Sequence, residues 1–126
     1  MQPNTTPRLL LTGVILELTL ATALVHFSLG ATEFLLNGAG YLALGAAYLA
    51  AAVLPIPAVQ RFGWLPRVGL AGFAAVTIVA YLVIGPYFML GWVTKGIELA
   101  IIMLVVTELL IGADGGRAPR RPPTRA

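Results

Sequence analysis

Three ionisable residues interrupt an apolar stretch near the end of the chain. Lys95, Glu98 and Glu108 lie between Met89 and Gly112, a segment that is otherwise almost entirely apolar. Charged side chains at the centre of a bilayer are costly unless they pair with one another or face a polar cavity. Because Lys95 precedes Glu98 by three positions, a helix places both side chains on one face. The pair indicates either a small cavity that binds protons or a ligand, or a self-neutralised contact that only stabilises helix packing.

Other polar side chains fall at the same depth if the apolar stretches of the chain form antiparallel helices. We therefore predict a polar cluster, binding a ligand or protons, in the outer half of a helical bundle. Its members are His26, Asn37, Tyr41, Tyr81, Lys95 and Glu98, with Glu33 at the mouth. His26 is the only histidine, so one chain cannot hold a haem between two histidines, and we expect no bound metal or other cofactor.

Glu17 is a second kind of candidate, an intramembrane carboxylate on the opposite side of the first predicted helix from His26. Two interpretations remain open at this point. The carboxylate contacts another subunit or acts as a proton site, or it is protonated and hydrogen-bonded to a neighbouring helix, where a neutral group is tolerated.

The composition excludes a soluble protein. The 126 residues are 59% hydrophobic and 10% charged, with a mean hydropathy of +0.91, whereas soluble domains are about 45–50% apolar and about 25% charged. Long continuous apolar runs favour helices over barrel strands. Glu17 interrupts the first run, so we do not expect cleavage of a signal peptide at Ala21-Thr22-Ala23.

We predict an all-α fold, an integral membrane four-helix bundle with both termini in the cytoplasm. The predicted helices cover residues 9–29, 34–54, 66–84 and 89–112, with a solvated arm at 1–8 and a disordered basic tail at 113–126. Pro55 and Pro57 end the second helix because neither has an amide proton to donate.

The arginines explain the predicted orientation. If the chain crosses a cell membrane four times, all the arginines fall on one side of it. The positive-inside rule assigns that side to the cytoplasm. One of these arginines, Arg8, lies in the N-terminal arm. The others are predicted to contact lipid head groups or to serve orientation: Arg61, Arg67, Arg117, Arg120, Arg121 and Arg125. Orientation accounts for the net charge of +3 better than nucleic-acid binding does, so the expected partner is the lipid bilayer and not a nucleic acid.

Three segments resemble small four-helix membrane proteins of prokaryotes. They are Val25–Gly30 (VHFSLG), Phe34–Leu42 (FLLNGAGYL) and Trp92–Glu98 (WVTKGIE), and the layout, with a histidine late in the first helix, is DoxX-like. The resemblance implies four membrane spans. DoxX-like proteins are associated with quinol or thiosulfate oxidation complexes, but this chain lacks their long loops, so the resemblance leaves its activity open.

No catalytic pattern is present. The chain contains no Gly-x-Ser-x-Gly, no His-Glu-x-x-His, no phosphate-binding loop and no dinucleotide fingerprint, so we do not expect an enzyme. We expect a structural or accessory subunit of a membrane complex, as a homo-oligomer or part of a larger assembly. The alternatives are a small proton-coupled permease or channel that uses His26, Lys95 and Glu98, and a subunit of a redox complex.

Overall fold

Helices make up nearly all of the part of the chain that the computed structural model describes, residues 5–115. They are α1 (Thr5–Leu29), α2 (Thr32–Val53), α3 (Pro57–Arg61), α4 (Trp64–Ile84) and α5 (Met89–Gly115). Residues 5–115 contain no strand. By length and composition, α1, α2, α4 and α5 are each able to cross a membrane.

The helices begin earlier than the proline pattern predicts. α1 starts at Thr5, so residues 5–8 of the predicted arm are already helical, and α4 starts at Trp64. The physical reason is that Pro7 and Pro66 lie in first turns. Amide groups there have no acceptor within the helix, so a proline costs no hydrogen bond. Pro57 likewise opens the short helix α3, within the segment predicted to be a loop.

α5 continues to Gly115, past the predicted end at residue 112. Most of the predicted basic tail, including Arg117, Arg120, Arg121 and Arg125, lies outside the described residues.

The four long helices form a ring. α1 packs against α2 and α5, and α4 packs against the same two helices, so α1 and α4 lie diagonally opposite. The α1–α2 and α4–α5 turns lie at one end of the bundle, here named the turn end. The opposite end, which holds the start of α1, the α2–α4 connection and the end of α5, is named the termini end. Gly30 makes the first turn with a φ of +72°, a conformation that glycine adopts without a Cβ clash.

Apolar side chains fill the centre of the bundle. Ile15, Leu70, Ile101 and Val105 are fully buried there. α1 and α2 approach closely because glycines face α1: a Cβ added to Gly38 would lie 3.1 Å from the carbonyl oxygen of Ala23. Small residues therefore allow the close packing of these two helices, as is typical of helices in lipid.

Candidate functional site

Glu98 on α5 is the centre of the site. Its side chain is fully buried. One carboxylate oxygen, Oε2, accepts a short hydrogen bond of 2.5 Å from Lys95 Nζ one turn earlier. The other, Oε1, lies 3.8 Å from His26 Nε2 and 3.5 Å from the Thr22 hydroxyl, both on α1. A fully buried carboxylate thus meets a lysine amine and an imidazole, which come from two helices.

The hydrogen bonds of His26 define which nitrogen carries a proton. Nδ1 lies 2.8 Å from the backbone carbonyl oxygen of Thr22. A carbonyl only accepts, so Nδ1 is the donor. In a neutral imidazole Nε2 then carries a lone pair, and Nε2 is the atom that faces Glu98. Two acceptors, Nε2 and Oε1, thus face each other across 3.8 Å, and one additional proton could bridge them if they moved closer.

A second pair of polar side chains lies beside the imidazole. The hydroxyls of Tyr41 on α2 and Thr77 on α4 are 2.9 Å apart. Thr77 donates its single proton to the carbonyl oxygen of Ala74, so the Tyr41 hydroxyl is the donor in this pair. The Tyr41 ring lies 5.7 Å from the His26 ring, centroid to centroid. Together these residues form the turn-end cluster: Thr22, His26, Tyr41, Thr77, Lys95 and Glu98.

A cavity of about 470 Å³ opens above this cluster. His26, Thr77 and Lys95 form its base, while Glu98 lies beneath them and does not line it. The walls are largely apolar and aromatic, and they include Leu29, Phe34, Ile84 and Phe88. The base of the cavity thus presents the Lys95 ammonium beside two polar side chains whose own protons are already donated, and the walls suit an apolar body.

Of the six residues predicted from the sequence, the structure brings four together. His26, Lys95 and Glu98 share the buried carboxylate, and Tyr41 packs on the imidazole. The remaining two, Asn37 and Tyr81, line the cavity and do not share that carboxylate. Glu33 lines the cavity as an exposed residue, as its predicted position at the mouth requires.

Tyr81 has a positioning role in the cavity wall. Its hydroxyl donates to the backbone carbonyl oxygen of Phe88 in the α4–α5 turn, at 3.1 Å. The ring packs over Gly91 and lies 5.6 Å from Lys95 Nζ, within the range of a cation–π contact.

Sequence reasoning missed Thr22 and Thr77 as members of the cluster. Thr22 lies one helical turn before His26, and Thr77 one turn before Tyr81. The spacing of four was visible in the sequence. Threonines in apolar helices commonly bond their own backbone instead of a site, as Thr94 does with Leu90 in this structure, so the spacing alone did not single them out.

Glu108 belongs to a separate cluster at the termini end. Its carboxylate accepts hydrogen bonds from Arg67 at 2.9 Å and from the Tyr48 hydroxyl at 2.8 Å. These three residues form the termini-end cluster. Arg67 was predicted to contact lipid head groups or to serve orientation; the structure places it largely buried and paired with Glu108, because antiparallel packing brings α4 and α5 to the same level there. Arg61, on α3, is exposed.

Glu17 lies on the outer surface of α1 and is exposed. Within residues 5–115 it makes no side-chain hydrogen bond to a neighbouring helix. The three glutamates of the long apolar helices α1 and α5 thus occupy three environments: buried in the turn-end cluster, partly buried in the termini-end cluster, and exposed on the outer surface.

The chain is therefore defined by its fold and site alone, as a four-helix bundle with a buried ion pair under a cavity. No family model, curated protein or solved structure matches it. Among the described residues, no group of three histidine, aspartate or glutamate side chains is arranged to hold a metal ion.

Proposed function

We propose that this protein spans a cell membrane four times, with both termini in the cytoplasm. The support lies in the four long apolar helices and in their outer surfaces, where residues such as Ile84 and Met89 expose about four-fifths of their area, 82% and 79%. Arg8, Arg61 and Arg67 all lie at the termini end, which the positive-inside rule assigns to the cytoplasm. The turn-end cavity then opens toward the outside.

We further propose that the protein is a small proton-coupled permease for organic anions with an apolar body. The observation that carries this proposal is the fully buried Glu98, whose carboxylate meets both Lys95 and His26 directly beneath a cavity. A purely structural ion pair would need only the lysine. The imidazole adds a nitrogen lone pair, at Nε2, that can accept a proton beside the carboxylate.

The charges of the cluster explain the coupling. With Lys95 charged, Glu98 ionised and His26 neutral, the cluster has no net charge. A proton bound between His26 Nε2 and Glu98 raises the net charge of the buried cluster to +1, which favours entry of one anion. The anionic end of the ligand binds Lys95 at the base, and its apolar body contacts Phe34 and Phe88. Proton and anion thus bind together with no net charge.

The two other functions predicted from the sequence, an accessory subunit and a redox subunit, account for fewer features of this site. A structural accessory subunit needs neither the cavity nor the imidazole beside the Lys95–Glu98 pair. A redox subunit needs a cofactor contact, for which His26 offers only a ring already engaged with Thr22 and Glu98.

The test is uptake of labelled phenylpyruvate into proteoliposomes, with protein-free liposomes as the background. An inward proton gradient should drive uptake by the wild-type protein. Glu98→Gln and Lys95→Met should lose most of this uptake, because each removes one member of the charge cluster. Glu17→Gln makes the same chemical change as Glu98→Gln on the outer surface, so it should retain uptake.

A readout that needs no ligand accompanies the transport assay. Infrared difference spectra between acidic and alkaline buffer should contain the band of a buried carboxyl group that disappears in Glu98→Gln. Uptake that is unchanged in Glu98→Gln, or that never exceeds the protein-free background, would reject the permease.

A further inference from the structure

Glu17 places a carboxyl group on the outer surface of α1, where no polar side chain of residues 5–115 forms a hydrogen bond or ion pair with it. It lies midway between Thr5 and Leu29, the ends of α1, and it is exposed on the outer surface. At 1.5 Å per residue each end of the helix is about 18 Å away. A glutamate side chain is too short to reach water from that depth, unlike a lysine or arginine near a helix end.

A carboxyl group at the centre of a bilayer therefore needs a polar partner from another molecule. The exposed surface of α1 beside Glu17 allows close approach. Gly13, one turn away, has open space in front of its Cβ position, and Leu20 and Leu24 are about half exposed, at 49% and 57%. These four residues lie within one narrow arc of the helix and are named the α1 surface.

We propose that two copies of this protein form a parallel dimer through the α1 surface, in which the two Glu17 carboxyl groups hydrogen-bond to each other. Symmetry and charge favour a second copy as the occupant. This inference rests on the topology proposed above, in which every copy has the same orientation. Two such copies are related by a two-fold axis along the membrane normal, so a residue of the α1 surface that faces this axis lies at the same depth as its counterpart and next to it.

The chemistry of the pair suits this arrangement. Two protonated carboxyl groups, or one protonated and one ionised, donate and accept hydrogen bonds with each other. No exposed cation of residues 5–115 lies at the level of Glu17. Lys95 is bound to Glu98, and Arg8, Arg61 and Arg67 lie at the termini end. Among the described residues, the polar group that a second copy supplies at this depth is therefore its own Glu17 carboxyl group.

The chain contains no cysteine, so single-cysteine variants test the interface directly. Leu20→Cys and Leu24→Cys lie on the α1 surface. Val79→Cys is the matched control, because Val79 is exposed to a similar degree, 58%, on the diagonally opposite helix α4. Oxidation with copper phenanthroline in native membranes should give a covalent dimer from the two α1 variants and none from Val79→Cys. An equal yield from all three, or no dimer from the α1 variants, would overturn the proposal.

A second experiment tests the carboxyl pair. Subunit counting by photobleaching of the labelled protein in liposomes should give dimers for the wild type and for Glu17→Gln, whose amides also pair. Glu17→Leu should lose most of the dimer; it replaces an exposed side chain and leaves the buried core unchanged, so folding is preserved. Dimers that are as frequent in Glu17→Leu as in the wild type would reject the pairing of the carboxyl groups.

The cross-linking result and the uptake result can fail independently of each other. Phenylpyruvate uptake depends on the turn-end cluster, whereas cross-linking depends only on the outer surface of α1. A failure of uptake with efficient cross-linking of Leu20→Cys would reject the permease alone, and the reverse result would reject the dimer alone.

Discussion

The three glutamates of α1 and α5 differ in their surroundings although they are the same residue type. Glu98 is neutralised by Lys95 one turn away on its own helix. Glu108 depends on two other helices, since Arg67 comes from α4 and Tyr48 from α2. The termini-end cluster therefore joins three helices through one carboxylate.

We expect the Arg67–Glu108 pair to contribute to stability as a unit. Arg67→Met and Glu108→Gln should each lower the free energy of unfolding, because each leaves a partly buried polar partner unpaired. The double variant should cost less than the sum of the two, with a coupling energy of about 1–3 kcal/mol. Unfolding in mixed detergent micelles measures all four proteins. Strictly additive single effects would contradict the expected coupling.

At the scale of elements, α1 and α5 supply the centre of the turn-end cluster. On α5, Thr94, Glu98, Ile101 and Val105 are buried at helical spacing. Tyr81 on α4 packs against this helix where Gly91 leaves room: a Cβ at Gly91 would lie 2.5 Å from the Tyr81 hydroxyl oxygen. This glycine therefore determines how closely α4 and α5 approach at the cavity wall.

We expect Gly91→Ala to push the Tyr81 ring away from α5 and to break its hydrogen bond to the Phe88 carbonyl. The cost should be about 1–3 kcal/mol of unfolding free energy, as for other overpacked sites. Gly96→Ala is the matched control on the same helix, since nothing lies within 4 Å of its added Cβ. It should leave stability unchanged or raise it by up to about 1 kcal/mol. Equal losses in both variants would mean that the Tyr81 contact does not limit the packing.

In the whole molecule, an apolar layer separates the two polar clusters. Ile15, Leu70, Ile101 and Val105 lie between them and are fully buried. The proposed permease therefore has its ligand site on one side of a closed layer, and a movement of helices would be required to open the other side. The topology decides which side of the membrane has access to the ligand site.

Cysteine labelling tests this topology. Glu33→Cys lies at the turn end, and Phe62→Cys lies next to α3 at the termini end; both positions are exposed. A membrane-impermeant maleimide applied to intact cells should label Glu33→Cys and leave Phe62→Cys unlabelled until the cells are opened. The opposite pattern would place the cavity on the cytoplasmic side, and labelling of neither site would reject four crossings with this orientation.

The sequence by itself determined where the helices form and which polar residues share one face of a helix. Long apolar runs form helices because a helix satisfies its own backbone hydrogen bonds, and the period of 3.6 residues places His26 with Thr22, and Glu98 beside Lys95. Helix ends were less predictable, because proline is tolerated within a first turn as well as outside a helix, as Pro7 and Pro66 illustrate.

Only the tertiary structure decided which residues meet across helices. The ring order brings α1 beside α5, so that His26 reaches Glu98, and α4 beside α5, so that Arg67 reaches Glu108. The face and the depth of a side chain are local properties of one helix. Which side chain it contacts on another helix depends on how all four long helices pack together, through close contacts such as that of Gly38 with α1. Such contacts join residues that are distant in the chain, so they leave no periodic pattern in the sequence.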